Sequence, residues 1–222
     1  MCGIVGAVLT NVTQENIETI RRVLLETEIR GKHASGIAWY DGENVNSHKE
    51  ASPISKFLET FDLNKIVYNN SIKMIGHIRY STSDIHYNQP IGNEDAYIVH
   101  NGVITQIDSD KWYPKYGYKC STKNDSELLF HAINTKEDYL MKFPGCSASY
   151  CYINSIGEFK HSRNSLRPQW KALLPNGFII ASTKNILIRA GLDNIEMVKT
   201  DDNKEMIKRN MDESYNRVQT IL

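Results

Sequence analysis

A candidate nucleophile stands at the start of the chain, where Cys2 directly follows Met1. A residue as small as cysteine permits removal of Met1, which would give the Cys2 thiol a free α-amine on the same residue. Because an α-amine has an unperturbed pKa of about 8, it can accept the thiol proton at neutral pH, and no histidine partner is needed. The alternative interpretation is a small residue that opens a buried strand.

Three further positions offer groups that a nucleophilic cysteine needs around it. Arg79 ends a predicted strand, and its planar guanidinium can bind a carboxylate at two points. Asn101 and Gly102 offer a side-chain amide beside a glycine N–H, the two donors that an oxyanion hole requires. Asp125 precedes a predicted helix and can bind an ammonium group. Together with Cys2, these residues are suited to acyl transfer on an amino-acid substrate.

Each of these positions also has an ordinary structural interpretation. Arg79 can form a surface ion pair, and Asn101 and Gly102 can form a simple turn. Asp125 can serve merely as the cap of its helix. Any one of them alone favours the ordinary interpretation, and only the combination indicates a catalytic site.

Composition restricts the class of protein. The 222 residues include 26 Lys and Arg against 26 Asp and Glu, so the formal net charge is zero. A neutral chain lacks the general electrostatic attraction to nucleic acid or to an anionic membrane, so neither partner is expected. No apolar run approaches the roughly 18 to 20 residues of a membrane span. Because no basic segment precedes the apolar start, we expect no secretory signal and a cytoplasmic protein.

The other cysteines and the histidines indicate neither a disulfide scaffold nor a metal centre. Four cysteines are few and irregularly spaced, so reduced thiols are expected. The seven histidines show no HxxxH or paired Cys/His spacing. The sequence also lacks the glycine motifs of nucleotide-binding loops. We therefore expect no metal and no cofactor.

Hydrophobic spacing predicts a strand-rich chain with two main helices. Helical periodicity covers residues 13–30, and Asn124 and Asp125 are suitable caps for a second helix. Short apolar runs predict strands at 4–9, 34–40, 73–80 and 97–100, and hairpins over 149–162 and 173–181. Strands joined by tight turns favour a mixed antiparallel sheet packed against helices.

Two segments differ in composition from the rest of the chain. Residues 111–119 alternate aromatic residues with lysines, a pattern that can stack bases or bind a partner. We expect instead a solvated loop with half-buried aromatic side chains. Residues 201–222 are highly charged with sparse apolar residues, which predicts a surface helix or tail after a main domain over residues 1–200.

Six short motifs carry a resemblance to a known family. They are MCGIVG at residue 1, RGKHASGI at 30, GHIRYST at 76, NQP at 88, VHNG at 99 and NDSE at 124. In this order and rough spacing they resemble the class II glutamine amidotransferase domain, an N-terminal-nucleophile hydrolase, from residue 1 to about residue 190. The resemblance implies an α+β fold of four layers, αββα, with two stacked and mainly antiparallel sheets.

The resemblance also implies a catalytic role for each candidate residue. Cys2 is the expected nucleophile and its α-amine the base. The Asn101 side chain and the Gly102 N–H are expected to form the oxyanion hole. Arg79, helped by Thr82, is expected to bind the α-carboxylate of glutamine.

The same resemblance assigns the rest of the pocket. Asp125 is expected to bind the α-amine of glutamine, and Arg30 to shape the pocket near the nucleophile. Residues 81–89 correspond to a loop that closes over the substrate. His33 is a departure, because the family carries an acidic residue there, so the local hydrogen bonding must differ.

The implied function is hydrolysis of L-glutamine to glutamate and ammonia through a Cys2 thioester. Family members usually carry a synthase, phosphoribosyltransferase or sugar-isomerase domain after this one, whereas this sequence ends at Leu222. We therefore expect a stand-alone glutaminase domain that passes ammonia to a separate synthase subunit. Two alternatives stay open: a hydrolase of γ-glutamyl amides or peptides, and a catalytically silent glutamine-binding regulatory module.

Overall fold

The computed structural model describes residues 2–80 and 87–201, which form twelve strands and six α-helices. The strands are β1 (Gly3–Thr10), β2 (Ala34–Tyr40), β3 (Val45–Glu50), β4 (Val67–Tyr68), β5 (Ser71–Arg79), β6 (Ile91–Asn93), β7 (Ala96–Val103), β8 (Ser147–Asn154), β9 (Phe159–Arg163), β10 (Trp170–Leu174), β11 (Gly177–Ala181) and β12 (Ile195–Met197). The helices are α1 (Gln14–Thr27), α2 (Ile54–Thr60), α3 (Trp112–Tyr116), α4 (Ser126–Asn134), α5 (Tyr139–Lys142) and α6 (Lys184–Arg189). Every predicted strand overlaps an observed one.

The strands form two antiparallel sheets. The larger sheet has the order β12-β10-β11-β1-β5-β2-β3, with β4 also paired to β5, and the smaller has the order β6-β7-β8-β9. In the larger sheet β1 lies between β5 and β11, and Gly3 is opposite Ile78. This register brings Cys2, the residue before β1, beside Arg79 at the end of β5.

Three groups of buried apolar side chains hold four layers together. One lies between the larger sheet and helices α1, α2 and α6, and another between the smaller sheet and helices α3, α4 and α5. The third lies between the two sheets and includes the fully buried Ile4, Ile75, Val99 and Ile153. Full burial of one such side chain contributes about 1.5–3 kcal/mol. The predicted αββα arrangement is confirmed.

Helix α1 begins and ends where its sequence provides a signal. Asn16 N donates to Thr13 Oγ1 at 3.3 Å, and Thr13 N donates to Asn16 Oδ1 at 3.0 Å. This reciprocal pair satisfies two N–H groups at the helix start. The fully buried Ile20 and Leu24 form its apolar face. The last predicted turn is a 3₁₀ turn, Glu28–Arg30, rather than α-helix.

The expectation of a solvated loop at residues 111–119 is wrong. Trp112–Tyr116 forms α3, and the side chains of Trp112 and Tyr116 are 4% and 9% exposed. Both pack against the smaller sheet, and Trp112 Nε1 donates to the Ile107 carbonyl at 2.7 Å. Trp112 and Tyr116 are four residues apart and therefore lie on the same face of a helix. This spacing indicates a buried helix face more strongly than the polar Lys115 between them indicates a loop.

Some predictions fall on residues that the structure does not describe. The charged tail lies outside the described residues from 202 onward, so the domain boundary at residue 200 stays a prediction. The predicted closing loop is described only from Tyr87. Among the helices of residues 2–80 and 87–201, none is both long enough and apolar enough to cross a bilayer.

Candidate active site

Five predicted site residues line one open pocket of about 610 Å³. Cys2 precedes β1, Arg79 ends β5, Asn101 and Gly102 lie near the end of β7, and Asp125 precedes α4. Strand ends from both sheets and the start of one helix therefore converge on the same space. The pocket brings together a thiol, a cation, an amide and a carboxylate.

Backbone contacts on both sides position Cys2. Its Sγ lies 3.9 Å from the Tyr80 carbonyl oxygen. Its own carbonyl accepts a hydrogen bond from Arg30 Nε at 3.2 Å. Burial lowers the pKa of Arg30, and the neighbouring Cys2 opposes that shift. Arg30 is thus placed to hold the backbone of Cys2, and it is not among the residues that line the pocket wall.

The segment after Arg30 packs directly on the end of β5. A Cβ at Gly31 would collide with the backbone of Arg79 and Tyr80, so the close approach requires glycine. His33 N donates to the Arg79 carbonyl at 3.1 Å. The exposed His33 ring contacts the Tyr80 ring edge-on, with centroids 5.4 Å apart. The imidazole that departs from the resemblance thus lies beside Tyr80, the residue whose carbonyl faces the Cys2 thiol.

Arg79 is held rigidly in the pocket wall. Its side chain is 7% exposed, and Nη1 donates to Asn88 Oδ1 at 2.8 Å. Lys49 Nζ donates to the Asn88 carbonyl at 3.3 Å, which fixes that segment in turn. His77, two residues earlier on β5, is buried, and burial together with the charge of Arg79 lowers its pKa to about 3. The imidazole is therefore neutral and adds no competing positive charge.

Asn101 and Gly102 offer the donors expected of an oxyanion hole. Asn101 is 4% exposed, and its Nδ2 has no hydrogen-bond partner among the described residues. This buried N–H group is not used by any protein acceptor there, so it can donate to an oxygen bound in the pocket. Gly102 has a φ of 155°, and a Cβ there would collide with the Ser147 carbonyl oxygen. Glycine is therefore required at this point of β7.

Asp125 does not cap α4 through its side chain. Its Oδ2 instead accepts hydrogen bonds from Ile104 N at 2.6 Å and from Thr105 N at 3.4 Å. The helix start is satisfied by Asn124, whose Oδ1 accepts from Ser126 N at 3.0 Å. Of the two interpretations of Asp125, the helix cap is therefore excluded, and the carboxylate lies in the pocket wall.

Sequence comparison finds relatives among two kinds of enzyme. The chain is 26% identical over 145 residues to the amidophosphoribosyltransferase of Methanothermobacter thermautotrophicus, which covers 62% of this chain and 30% of that protein. It is 30% identical over 136 residues to the amidophosphoribosyltransferase of Pyrococcus horikoshii, covering 58% and 28%. It is 29% identical over 141 residues to the isomerizing glutamine–fructose-6-phosphate aminotransferase of Clostridium tetani, covering 60% and 22%. The match thus spans less than a third of each relative, and no family model matches.

Solved structures share the fold. The glutamine phosphoribosylpyrophosphate amidotransferase of B. subtilis, complexed with ADP and GMP, superposes with a TM-score of 0.65 at 20% identity over 90% of this chain and 46% of that chain. A structure described as the allosteric regulatory enzyme of purine biosynthesis gives 0.69 at 20% identity, covering 90% and 45%. A glutamine aminotransferase class-II domain protein from Silicibacter pomeroyi gives 0.50 at 14% identity, covering 82% and 88%.

Over about 60% of its length the chain is thus similar in sequence to amidophosphoribosyltransferases and to a glutamine–fructose-6-phosphate aminotransferase. At these identities the solved structures establish the two-sheet fold alone. The roles proposed below for individual residues therefore rest on the pocket geometry.

A buried hydrogen-bond network in the pocket wall was not predicted from the sequence. Gln89 Nε2 donates to the His100 carbonyl at 3.0 Å and to Ser126 Oγ at 3.1 Å. Gln89 Oε1 accepts from His100 N at 2.5 Å, and the His100 ring contacts Ser126 Oγ at 2.9 Å. The network joins β7 to the start of α4 and so fixes Asn101 relative to Asp125. The one feature of the sequence that indicates this network is that Gln89 belongs to the NQP motif and His100 to the VHNG motif.

The pocket also extends beyond the predicted glutamine site. Its wall continues along Thr105 and Ile107 to Trp112 of α3, and includes Arg167 on another side. Thr82, the predicted helper of Arg79, lies outside the described residues.

Proposed function

We propose that this domain binds L-glutamine and hydrolyses its side-chain amide to glutamate and ammonia, with Cys2 as nucleophile. The observation that supports this most strongly is the convergence of Cys2, Arg79, Asn101, Gly102 and Asp125 on one pocket. Their chemistry matches the parts of glutamine: a cation for the carboxylate, an anion for the ammonium and a thiol for the amide.

Substrate binding is assigned to two fixed charges. Arg79 binds the α-carboxylate through guanidinium N–H groups, and Asn88 keeps the guanidinium in place. Asp125 binds the α-ammonium, while the backbone N–H of Ile104 fixes one carboxylate oxygen. With both charged ends held, the neutral amide is left to reach Cys2, and this orientation is itself a source of rate enhancement.

The first chemical step requires Cys2 to be N-terminal. Removal of Met1 gives a free α-amine, which takes the thiol proton while Sγ attacks the amide carbon. The carbonyl oxygen becomes an oxyanion and accepts hydrogen bonds from Asn101 Nδ2 and Gly102 N–H. Intact mass reports whether Met1 is absent from the active protein, and retained Met1 in fully active protein contradicts the base assignment.

Collapse of the oxyanion breaks the carbon–nitrogen bond. The leaving nitrogen takes the proton from the Cys2 α-ammonium and departs as ammonia, leaving a γ-glutamyl thioester on Sγ. Water then attacks the thioester carbonyl, with the α-amine accepting its proton. The carbon–sulfur bond breaks, Sγ recovers the proton, and glutamate is released.

We further propose that the ammonia passes to a separate acceptor subunit. The relatives named above are transferases of which this chain matches less than a third. The acceptor chemistry that their names imply is assigned to the part of each relative that lies outside the match. The extension of the pocket toward Trp112 supports a different outcome, in which the leaving group is larger than ammonia and the substrate is a γ-glutamyl amide.

Turnover of free glutamine and of γ-glutamyl dipeptides by the purified chain tests the proposal. We expect ammonia release from glutamine to exceed amine release from the dipeptides, and Cys2→Ala to release neither. Preferential cleavage of the dipeptides identifies a γ-glutamyl hydrolase instead. Glutamine binding without any turnover, in protein whose mass shows an N-terminal Cys2, identifies a catalytically silent module.

A further inference from the structure

Three potential metal ligands meet on the far side of the α4 start, among residues that do not line the pocket. The Cys120 thiol, the Glu127 carboxylate and the His131 imidazole each place one ligand atom within 4.8 Å of the other two. Glu127 and His131 are one helical turn apart on α4, and Cys120 lies in the segment before the helix. A search for paired Cys/His spacing misses this set, because one ligand is a carboxylate and another lies outside the helix.

His131 supplies the observation that points to a ligand. Its Nε2 is buried and has no hydrogen-bond partner among the described residues. The nearest charged acceptor, Glu127 Oε1, is 4.0 Å away, which exceeds a hydrogen-bond distance. The Tyr118 ring stacks on the imidazole with centroids 5.2 Å apart. The ring is therefore held in place with one nitrogen directed at no protein acceptor.

Glu127 is fixed as a carboxylate. Backbone N–H and hydroxyl groups of Ser121 and Thr122 donate to both of its oxygens, which suits an acceptor-only carboxylate. Glu127 Oε1 accepts from Ser121 N at 2.7 Å and from Ser121 Oγ at 2.9 Å. A cation at Oε1 would replace the hydroxyl bond, and the exposed Ser121 side chain can turn to water.

Cys120 completes a donor set with a preference for particular metals. Its S–H group is half-buried, and the sulfur lies within 4.8 Å of the ligand atoms of Glu127 and His131. Coordination replaces that proton, because the metal ligand is the thiolate. Sulfur, nitrogen and oxygen ligands together suit Zn²⁺, whereas Mg²⁺ and Ca²⁺ prefer oxygen alone.

We propose that Cys120 Sγ, Glu127 Oε1 and His131 Nε2 bind one Zn²⁺-type cation, with water in the fourth position. Binding releases the Cys120 proton and leaves the oxidation states of metal and protein unchanged. The cation joins the segment at Cys120 to α4 and thereby braces the turn that carries Asp125. The site stands independently of the glutaminase assignment, since none of its three ligands lines the pocket.

Titration with Co²⁺ as a spectroscopic probe for Zn²⁺ tests the site in full-length protein. Cys2→Ala is the background, because the Cys2 thiol is itself a potential ligand. We expect a near-ultraviolet sulfur-to-cobalt band that saturates at one equivalent, is displaced by Zn²⁺ and is absent after Cys120→Ser. No band in the Cys2→Ala background, or an unchanged band after Cys120→Ser, would overturn the proposal.

Two histidine variants provide a matched comparison. His131→Gln should weaken Zn²⁺ binding by at least about ten-fold, measured by competition with a chelating indicator. His48→Gln is the control, because His48 Nε2 also lies beside a carboxylate, 3.0 Å from Glu50 Oε1, but far from Cys120 in the fold. Equal Zn²⁺ affinity in the two variants contradicts the proposal. Thermal melts of both confirm that the compared proteins are folded.

Discussion

At the residue scale, the environment of the Asn101 side chain gives the strongest indication of catalysis. It is buried at the end of β7, and its Nδ2 has no hydrogen-bond partner among the described residues. Most buried polar groups are paired, so an unpaired one indicates a place where a ligand supplies the partner. A donor already in position needs no reorganisation when charge develops on a substrate oxygen.

Asn101→Ala should lower kcat for glutamine by on the order of 10² to 10³, since one of two oxyanion donors is lost. Steady-state ammonia release measures the change, and KM should move little. Asn93→Ala is a control, because Asn93 is exposed at the β6 turn and contacts no pocket residue. A rise in KM alone would mean that Asn101 binds the ground state and does not stabilise the oxyanion.

Asp125→Asn should lower kcat/KM by about ten- to hundred-fold, the usual range for a charge-assisted contact. The asparagine oxygen can still accept from Ile104 N, so the loss reports the missing charge and not a disrupted turn. Asp108→Asn is the matched control, since the exposed Asp108 also lines the pocket. Equal effects of the two substitutions would refute an ammonium site at Asp125.

At the element scale, the 3₁₀ turn Glu28–Arg30 and the residues after it hold the end of β5. Gly31 touches the backbone of Arg79 and Tyr80, and Arg30 binds the Cys2 carbonyl. This one segment therefore positions both the proposed nucleophile and the proposed carboxylate ligand. A small shift in it should displace both residues together.

Gly31→Ala should lower kcat/KM on the order of 10²-fold, the loss that follows a misplacement of about 1 Å. The added Cβ must push the Arg79–Tyr80 backbone away, although no catalytic side chain has been altered. Gly76→Ala provides the comparison, because its Cβ would meet only side chains, the nearest at 3.3 Å. Full activity in folded Gly31→Ala protein would show that this contact does not position the site.

The long elements could be predicted from the sequence because apolar residues recur along them with the period of a strand or a helix. β1 is a continuous apolar run, β5 and β7 are rich in apolar residues, and α1 has a helical apolar face with a cap at Thr13. The short helices α2, α5 and α6 were not predicted, since one or two turns show too little periodicity to be distinguished from a loop.

The chemically active side chains of the site could be predicted from the sequence, but the residues whose hydrogen bonds hold them in place could not. Motif order indicated Cys2, Arg79 and Asn101, and strand ends bring them together. Gln89 and Asn124 act through side-chain bonds across separate elements, which leave no local pattern.

At the scale of the whole molecule, buried neutral histidines link stability to pH. His77 is 1% exposed between the sheets, and its pKa falls from 6.5 to about 3, chiefly through burial. Burial also lowers the pKa of His100. The unfolded chain binds a proton at His77 below about pH 6.5, whereas the folded chain does so only near pH 3. The contribution of His77 to the free energy of unfolding is therefore fully present above about pH 6.5 and declines as the pH falls toward the folded-state pKa of about 3.

The free energy of unfolding should fall between about pH 7 and pH 5, by up to about 1.4 kcal/mol per pH unit for each such histidine. Urea unfolding at several pH values measures the slope, and His77→Gln should make it shallower. A flat profile in the original protein would mean that His77 gains a proton in the folded state.

Glutamine turnover by Cys2→Ala, measured beside the unsubstituted chain in protein of confirmed mass, tests the central claim most directly. The account predicts that ammonia release is abolished, while calorimetry still detects glutamine binding, because Arg79 and Asp125 are intact. Undiminished ammonia release from the variant would contradict the account, since no other thiol lines the described part of the pocket.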